Sequence, residues 1–127
     1  MTENDGTAGT DHQDDICKRT FEFALRMVRL CQALSEKPVG RALGRQLLRS
    51  GTSIGANVEE AQGGQSRKDF IHKMSIARKE AYESHYWLRL VLQAGLMPED
   101  RMSDIIDECH QIRRIISAII ISAERNT

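Results

Sequence analysis

The chain is predicted to be all-α, an antiparallel up-down-up-down bundle of four helices. Three observations predict this. Beyond the first fifteen residues, apolar side chains recur every three or four positions. Only two prolines and 5% aromatic residues occur, while Leu, Ile, Ala, Glu, Arg and Gln are plentiful. Short breaks containing Gly or Pro divide the chain into four stretches of similar length, short enough to join antiparallel neighbours. At 127 residues it forms one domain with a single core.

Helix one is expected from about Asp15 to Ser35, with Thr20, Ala24, Met27, Cys31 and Leu34 facing inward. The segment SEKPVG interrupts it, and Pro38 suits the first turn of helix two, where a missing N–H costs nothing. Helix two turns Leu43, Leu47, Ile54, Val58 and Ala61 inward and ends at Gly63-Gly64. Ser66 then caps helix three, with Asp69 in the capping-box position. That helix buries Phe70, Met74, Ala77, Ala81, Leu88 and Leu92 and stops at Gly95. Helix four opens at Pro98-Glu99-Asp100, its acids in the turn where the macrodipole favours them. Its seam is close to a heptad: Met102, Ile105, Cys109, Ile112, Ile116, Ile119 and Ala123.

Within helix two, RSGTSIGANVEEA (49–61) admits two readings, a phosphate-cradling loop or a helix made thin on one side. A phosphate loop needs a preceding strand and a lysine after the second glycine. Here Gly55 is followed by Ala56, and Leu47, Gly51, Ile54 and Val58 keep the helical step throughout. The thin helix is the reading that stands. An interior glycine costs about 1 kcal/mol relative to alanine, so two of them imply a gain from close packing.

No apolar run approaches the ~20 residues needed to cross a bilayer. The N-terminus has neither the basic nor the apolar region of a signal peptide, so a cytoplasmic location is expected. Cys17, Cys31 and Cys109 lack C-x-x-C spacing and are expected as reduced, small apolar residues. The formal net charge is zero. Residues 1–15 nevertheless hold five acids and no base, which leaves 18 basic against 13 acidic side chains in residues 16–127. We read 1–15 as a disordered acidic tail and 16–127 as the bundle. A basic body points weakly to a polyanion partner, for which the tail would compete.

Apolar residues exceed what one bundle needs. Phe21, Leu25 and Val28 form a second stripe on helix one. Ile106, Ile115, Ile120 and Ile121 lie beyond the seam of helix four, and Tyr82 and Tyr86 fall in step on helix three beside Trp87. Contiguous extra stripes mark an interface, and a homo-oligomer is expected. Its interface candidates are Phe21, Leu25, Val28, Ile115, Ile120 and Ile121.

Catalytic and metal chemistry find little support. D-F-I-H (69–72) and D-E-C-H (107–110) resemble the carboxylate-x-x-His pairs of di-iron bundles. In antiparallel neighbours, however, the two pairs would stand ~18 Å apart in level. His72 also lies about 200° around the helix from Phe70, away from the core. Glu59, Glu60, Glu80 and Glu83 read as surface partners of Arg and Lys. No catalytic residue, cofactor or metal is expected, and the chain is not expected to be an enzyme. Arg41, Arg45 and Arg49 repeat every four residues on the outer face of helix two, and Arg67 and Lys68 open helix three. These five are the candidate nucleic-acid-binding residues, since such a column can neutralise phosphates. No aromatic side chain is interleaved with the column to stack bases.

Ser53, Ile54, Asn57, Glu60 and Ala61 form one recurring motif; Asp69-Phe70-Ile71 follows, and then Lys79, Glu80, Ala81, Glu83, Trp87 and Leu88. In these elements the chain resembles the bacterial four-helix-bundle proteins often encoded in 23S rRNA intervening sequences, over roughly residues 16–124. The resemblance implies an antiparallel bundle that assembles as a ring-like homopentamer. It also implies kinship with the accessory variability proteins of diversity-generating retroelements, basic pentameric bundles that bind nucleic acid and a reverse transcriptase. No catalytic residues and no cofactor come with it. Two readings follow: an oligomer that binds RNA or DNA through its basic outer face, or an interaction scaffold for a reverse transcriptase or other protein, with no nucleic-acid role.

Overall fold

The computed structural model describes residues 8–126, with side chains from Asp15 onward. Four helices follow one another: α1 (Ala8–Leu34), α2 (Pro38–Gln62), α3 (Arg67–Gln93) and α4 (Glu99–Arg125). No strand occurs among the described residues. The expectation for residues 1–7 lies outside those residues. Residues 8–15, read above as tail, are already helical. They contain no proline, and an established helix lengthens at little cost per residue.

The helix ends follow the local chemistry. Pro38 occupies the first turn of α2. Ser66 Oγ accepts the Asp69 backbone N–H at 3.1 Å and caps α3. Gly95, at φ 72°, ends α3. The Leu96 N–H reaches the Val91 carbonyl and the Gly95 N–H the Leu92 carbonyl, a Schellman closure that a left-handed residue permits.

Neighbouring helices run in opposite directions, because their contacts pair rising with falling numbers. Thr20, Met27, Cys31 and Leu34 of α1 meet Gly55, Gly51, Gly44 and Gly40 of α2. Ser84 donates to Ser50 across α2 and α3, and Lys73 pairs with Glu60. Arg19 and Arg26 of α1 meet Glu108 and Asp104 of α4. Each helix touches two others, and α1 with α4 is the loosest pair.

The glycines of α2 lie on the face toward α1. A Cβ on Gly51 would lie 2.6 Å from Met27 Cγ, and one on Gly55 3.2 Å from the Thr20 carbonyl oxygen. The thin-helix reading therefore has a named counterpart, α1, and the cost of interior glycine is offset by that close approach.

Three inward faces differ from expectation; on α3 the core takes Val91 in place of Leu92, and Phe70 is half-buried. On α1 the buried series is Ile16, Thr20, Phe23, Met27, Leu30 and Leu34, while Ala24 and Cys31 are half-buried. The expected face was turned too far toward α2. On α4 the core takes Ile120, 2% exposed, in place of Ile119. Ile120 is thus a core residue and not an interface candidate. A straight helix drifts ~20° per heptad against a 3.5-residue repeat, which moves the inward position one residue along by the last turns.

Candidate association and nucleic-acid surfaces

Small residues let α1 and α2 close together, and the apolar side chains next round the two helices are left outside. Phe21, Leu25 and Val28 are exposed on the α2 side of α1. Leu48 lies between Gly44 and Gly51 in sequence but is turned outward, so it borders the same seam. Together these four side chains form an apolar ridge along the α1–α2 seam.

A different apolar surface lies where α1 and α4 pack loosely. A groove of about 880 Å³ runs there, closed at one end by the start of α3. Ile16, Phe70, Ile115 and Ile119 line it, with Arg19 and Arg67 at its rim. Arg19 donates to both carboxylate oxygens of Glu108, at 2.7 and 3.0 Å, and so ties α1 to α4 beside the groove. Hydrogen bonding to Glu108 raises the already high pKa of this guanidinium. Of the remaining interface candidates, Ile115 belongs to the groove. Ile121 is exposed on α4, about three turns beyond His110 on the side facing α3.

The five basic candidates do not form one patch. Arg41 and Arg45 are exposed on α2, and among the described residues neither makes an ion pair. Arg49 is held by two carboxylates of α3, Glu80 at 3.5 Å and Glu83. Glu83 also accepts the Trp87 indole N–H at 3.0 Å. Arg67 and Lys68 start α3 opposite the end of α2, roughly 25 Å along the axis from Arg45 at 1.5 Å per residue.

Packing α3 against α4 assembles a further basic surface, one that carries aromatic rings. The Arg113 guanidinium lies 4.5 Å from the centroid of the Tyr82 ring and donates to its hydroxyl at 3.0 Å. Its other terminal nitrogen meets His110 Nδ1 at 2.8 Å. Arg89 stands 5.9 Å from the Tyr86 centroid, and the His85 and His110 rings are 6.1 Å apart. Burial, then Arg89, His110 and Arg113, hold the His85 pKa below its ordinary value. This surface is not among the basic candidates that the sequence offers, because half of it comes from α4. Its α3 half was legible as Arg78, Tyr82, Tyr86 and Arg89, spaced as neighbours on one helix face.

Groups for chemistry are not gathered. Among the described residues no three His, Cys, Asp or Glu side chains are placed to hold a metal ion. Cys109 is buried, its thiol 3.4 Å from the Ala81 carbonyl oxygen, and desolvation pushes its pKa up to about 12. Such a thiol is inert toward disulfide reagents near neutrality, since the thiolate is the nucleophile. In native protein titrated with an aromatic disulfide, Cys109 is expected to react only after unfolding; rapid native labelling at Cys109 would contradict its burial. No helix of the described residues is long and apolar enough to cross a membrane.

The architecture defines the class: a helical bundle with an apolar ridge, an apolar groove and basic outer surfaces. A family model described as 23S rRNA-intervening sequence protein matches residues 12–118. The chain belongs to that family. It is also similar to a protein of unknown function from the S23 ribosomal protein family of Bacteroides thetaiotaomicron VPI-5482, known from a crystal structure. The two are 38% identical, over 86% of this chain and 97% of that one, with a TM-score of 0.82. Comparison with curated proteins finds no significant match.

Proposed function

We propose that this protein is a non-catalytic, cytoplasmic helical scaffold that assembles with copies of itself and holds nucleic acid on its basic outer surface. One observation carries the reading: apolar surface is left on two unlike sides of the bundle, the α1–α2 ridge and the α1–α4 groove. A closed ring needs two different complementary faces on every subunit, because each meets its neighbour head to tail. The resemblance noted in the sequence makes the expected ring a pentamer. Polyanion binding is supported by the net positive balance of residues 16–127 and by Arg41 and Arg45, which have no carboxylate partner among the described residues.

The second reading, a scaffold for a protein such as a reverse transcriptase, is favoured by one observation. Arg49 is neutralised by Glu80 and Glu83, so among the described residues the α2 column presents two cations without a carboxylate partner and not three.

Sedimentation velocity and binding across a salt series separate these readings. The wild type is expected to sediment as one defined oligomer, and Leu25→Glu with Val28→Glu as a monomer. An RNA hairpin is expected to bind with an affinity that falls steeply as salt rises. Charge reversal at Arg41 and Arg45 should flatten that slope. A monomeric wild type would refute the ring, and an oligomer that binds no polyanion at low salt would leave the protein scaffold.

A further inference from the structure

The surface where α3 meets α4 combines exposed aromatic rings with a band of cations. Tyr82 and Tyr86 are 55% and 48% exposed, one turn apart on α3. Arg78 and Arg89 flank them on the same helical face, and Lys79 lies one turn before Tyr82. From α4, Arg113 lies against Tyr82, and Arg114 is exposed one turn beyond His110. The only acids between Arg78 and Arg89 are Glu80 and Glu83. Both are paired with Arg49 on the α2 side of α3, and Glu83 also accepts the indole N–H of Trp87, which packs against Tyr86. On α4, Asp107 accepts a hydrogen bond from Gln111. Ion pairing across α2 and α3 thus neutralises the α3 carboxylates and leaves the balance of this surface basic.

We infer that this surface is a binding site for single-stranded nucleic acid, with Tyr82 and Tyr86 stacking successive unpaired bases and the surrounding arginines and Lys79 contacting the phosphates. The inference rests on the nucleic-acid reading above and adds to the α2 column a contact for unpaired strands on α3 and α4. Rings and charge each point to the same ligand. A base needs exposed aromatic surface. Tyr82 has Arg113 against its ring and stays 55% exposed. Tyr86, with Arg89 at 5.9 Å and the Trp87 ring edge-to-face at 5.1 Å, stays 48% exposed. Arg113 also grips the Tyr82 hydroxyl, which sets the ring's orientation before a strand arrives. A base stacked on the exposed ring surface completes a base–tyrosine–guanidinium sandwich, in which the cation strengthens the aromatic contact.

Spacing selects the strand. Residues four apart on a helix are separated by about 6 Å along its axis, well beyond the ~3.4 Å rise per nucleotide of a stacked duplex strand. The two tyrosines therefore match bases splayed from one another, as in an unpaired strand. Bases in a duplex are stacked on each other and have no free face to offer.

The test is fluorescence anisotropy on the full-length protein. The probes are a labelled uridine homopolymer of about 20 nucleotides, long enough for a site of 4–16 nucleotides, its thymidine DNA counterpart, and a DNA duplex of equal length. The wild type is expected to prefer either single strand to the duplex. Tyr82→Ala and Tyr86→Ala should each weaken strand binding about fivefold or more, with duplex binding and sedimentation unchanged. Tyr82→Phe, which keeps the ring and loses only the hydroxyl, should retain most of the affinity. Preference for RNA over DNA would add a contact to the 2′-hydroxyl, and equal binding would show stacking and phosphate contacts alone; both agree with the site. Unchanged strand affinity in the alanine variants would overturn it. If the Arg41/Arg45 reversal alone then removes binding, the α2 column is the site and the broader function stands. Absence of binding to every probe would overturn both. A shift in oligomer mass on Tyr82→Ala would also overturn it, by placing the tyrosines in the subunit interface.

Discussion

Phe23→Ala is expected to destabilise the bundle by about 3–5 kcal/mol, the range for truncating a buried aromatic ring. Phe23 is 1% exposed and among the largest fully buried side chains, within the cluster that includes Ile16, Met27 and Leu30. Truncation to alanine removes most of a ring's dispersion contacts and leaves a cavity that rigid helices can only partly close. For a single domain of this size the thermal midpoint should fall by well over 10 °C. Phe21, two residues earlier, is 57% exposed. Its replacement by alanine should cost the folded chain under about 1 kcal/mol and act instead on self-association. Chemical denaturation of the two variants settles the assignment. Equal losses would mean that the inward face of α1 is wrongly placed.

Along α2, glycine replacements are expected to change sign from one position to the next. A Cβ at Gly40 would stand 2.3 Å from the Leu34 carbonyl oxygen. That atom is backbone at the end of α1 and cannot rotate away, so Gly40→Ala must push the two helices apart. We expect a loss of about 3 kcal/mol, at the upper end of ordinary overpacking. Gly51→Leu forces its side chain onto Met27, itself fully buried, and should cost at least as much, with a fall in midpoint of about 10 °C. At Gly44 the nearest atom would be Cys31 Cα at 3.7 Å, ordinary van der Waals contact. There alanine fits, and the gain in helix propensity should stabilise the protein by about 0.5–1 kcal/mol. Calorimetry on the three variants checks the pattern. An unchanged midpoint in Gly51→Leu would sink the close-approach account.

How much of this was legible in the chain depended on the range of the interaction. Pro38, Ser66, Gly95 and the acids at Glu99-Asp100 marked their helix ends correctly, because a cap is decided within a few residues. The inward residues of α2 were also largely readable: Leu47, Ile54, Val58 and Ala61 are buried and Leu43 is half-buried. On α1 the chain carries two apolar stripes side by side. Periodicity put Phe21 on the outer stripe, where it is exposed, but turned the inward face too far round to include Phe23, which is buried. The arginine column was visible as a spacing, but the loss of Arg49 to Glu80 and Glu83 was not, since its partners lie more than thirty residues away.

The sequence by itself determined the four helices, their ends apart from the start of α1, the bundle they form and the family to which the chain belongs, since these follow from local spacing and family motifs. Only the tertiary structure decided the rest: which side of α1 is core, that Ile120 is buried, that Arg49 is neutralised, and that Tyr82 and Tyr86 share a basic surface with Arg113. A helical period sets which residues lie on one line but not which way that line points. Its direction is set by the close approach of α1 to the glycines of α2, and by charges that meet only once the helices are side by side.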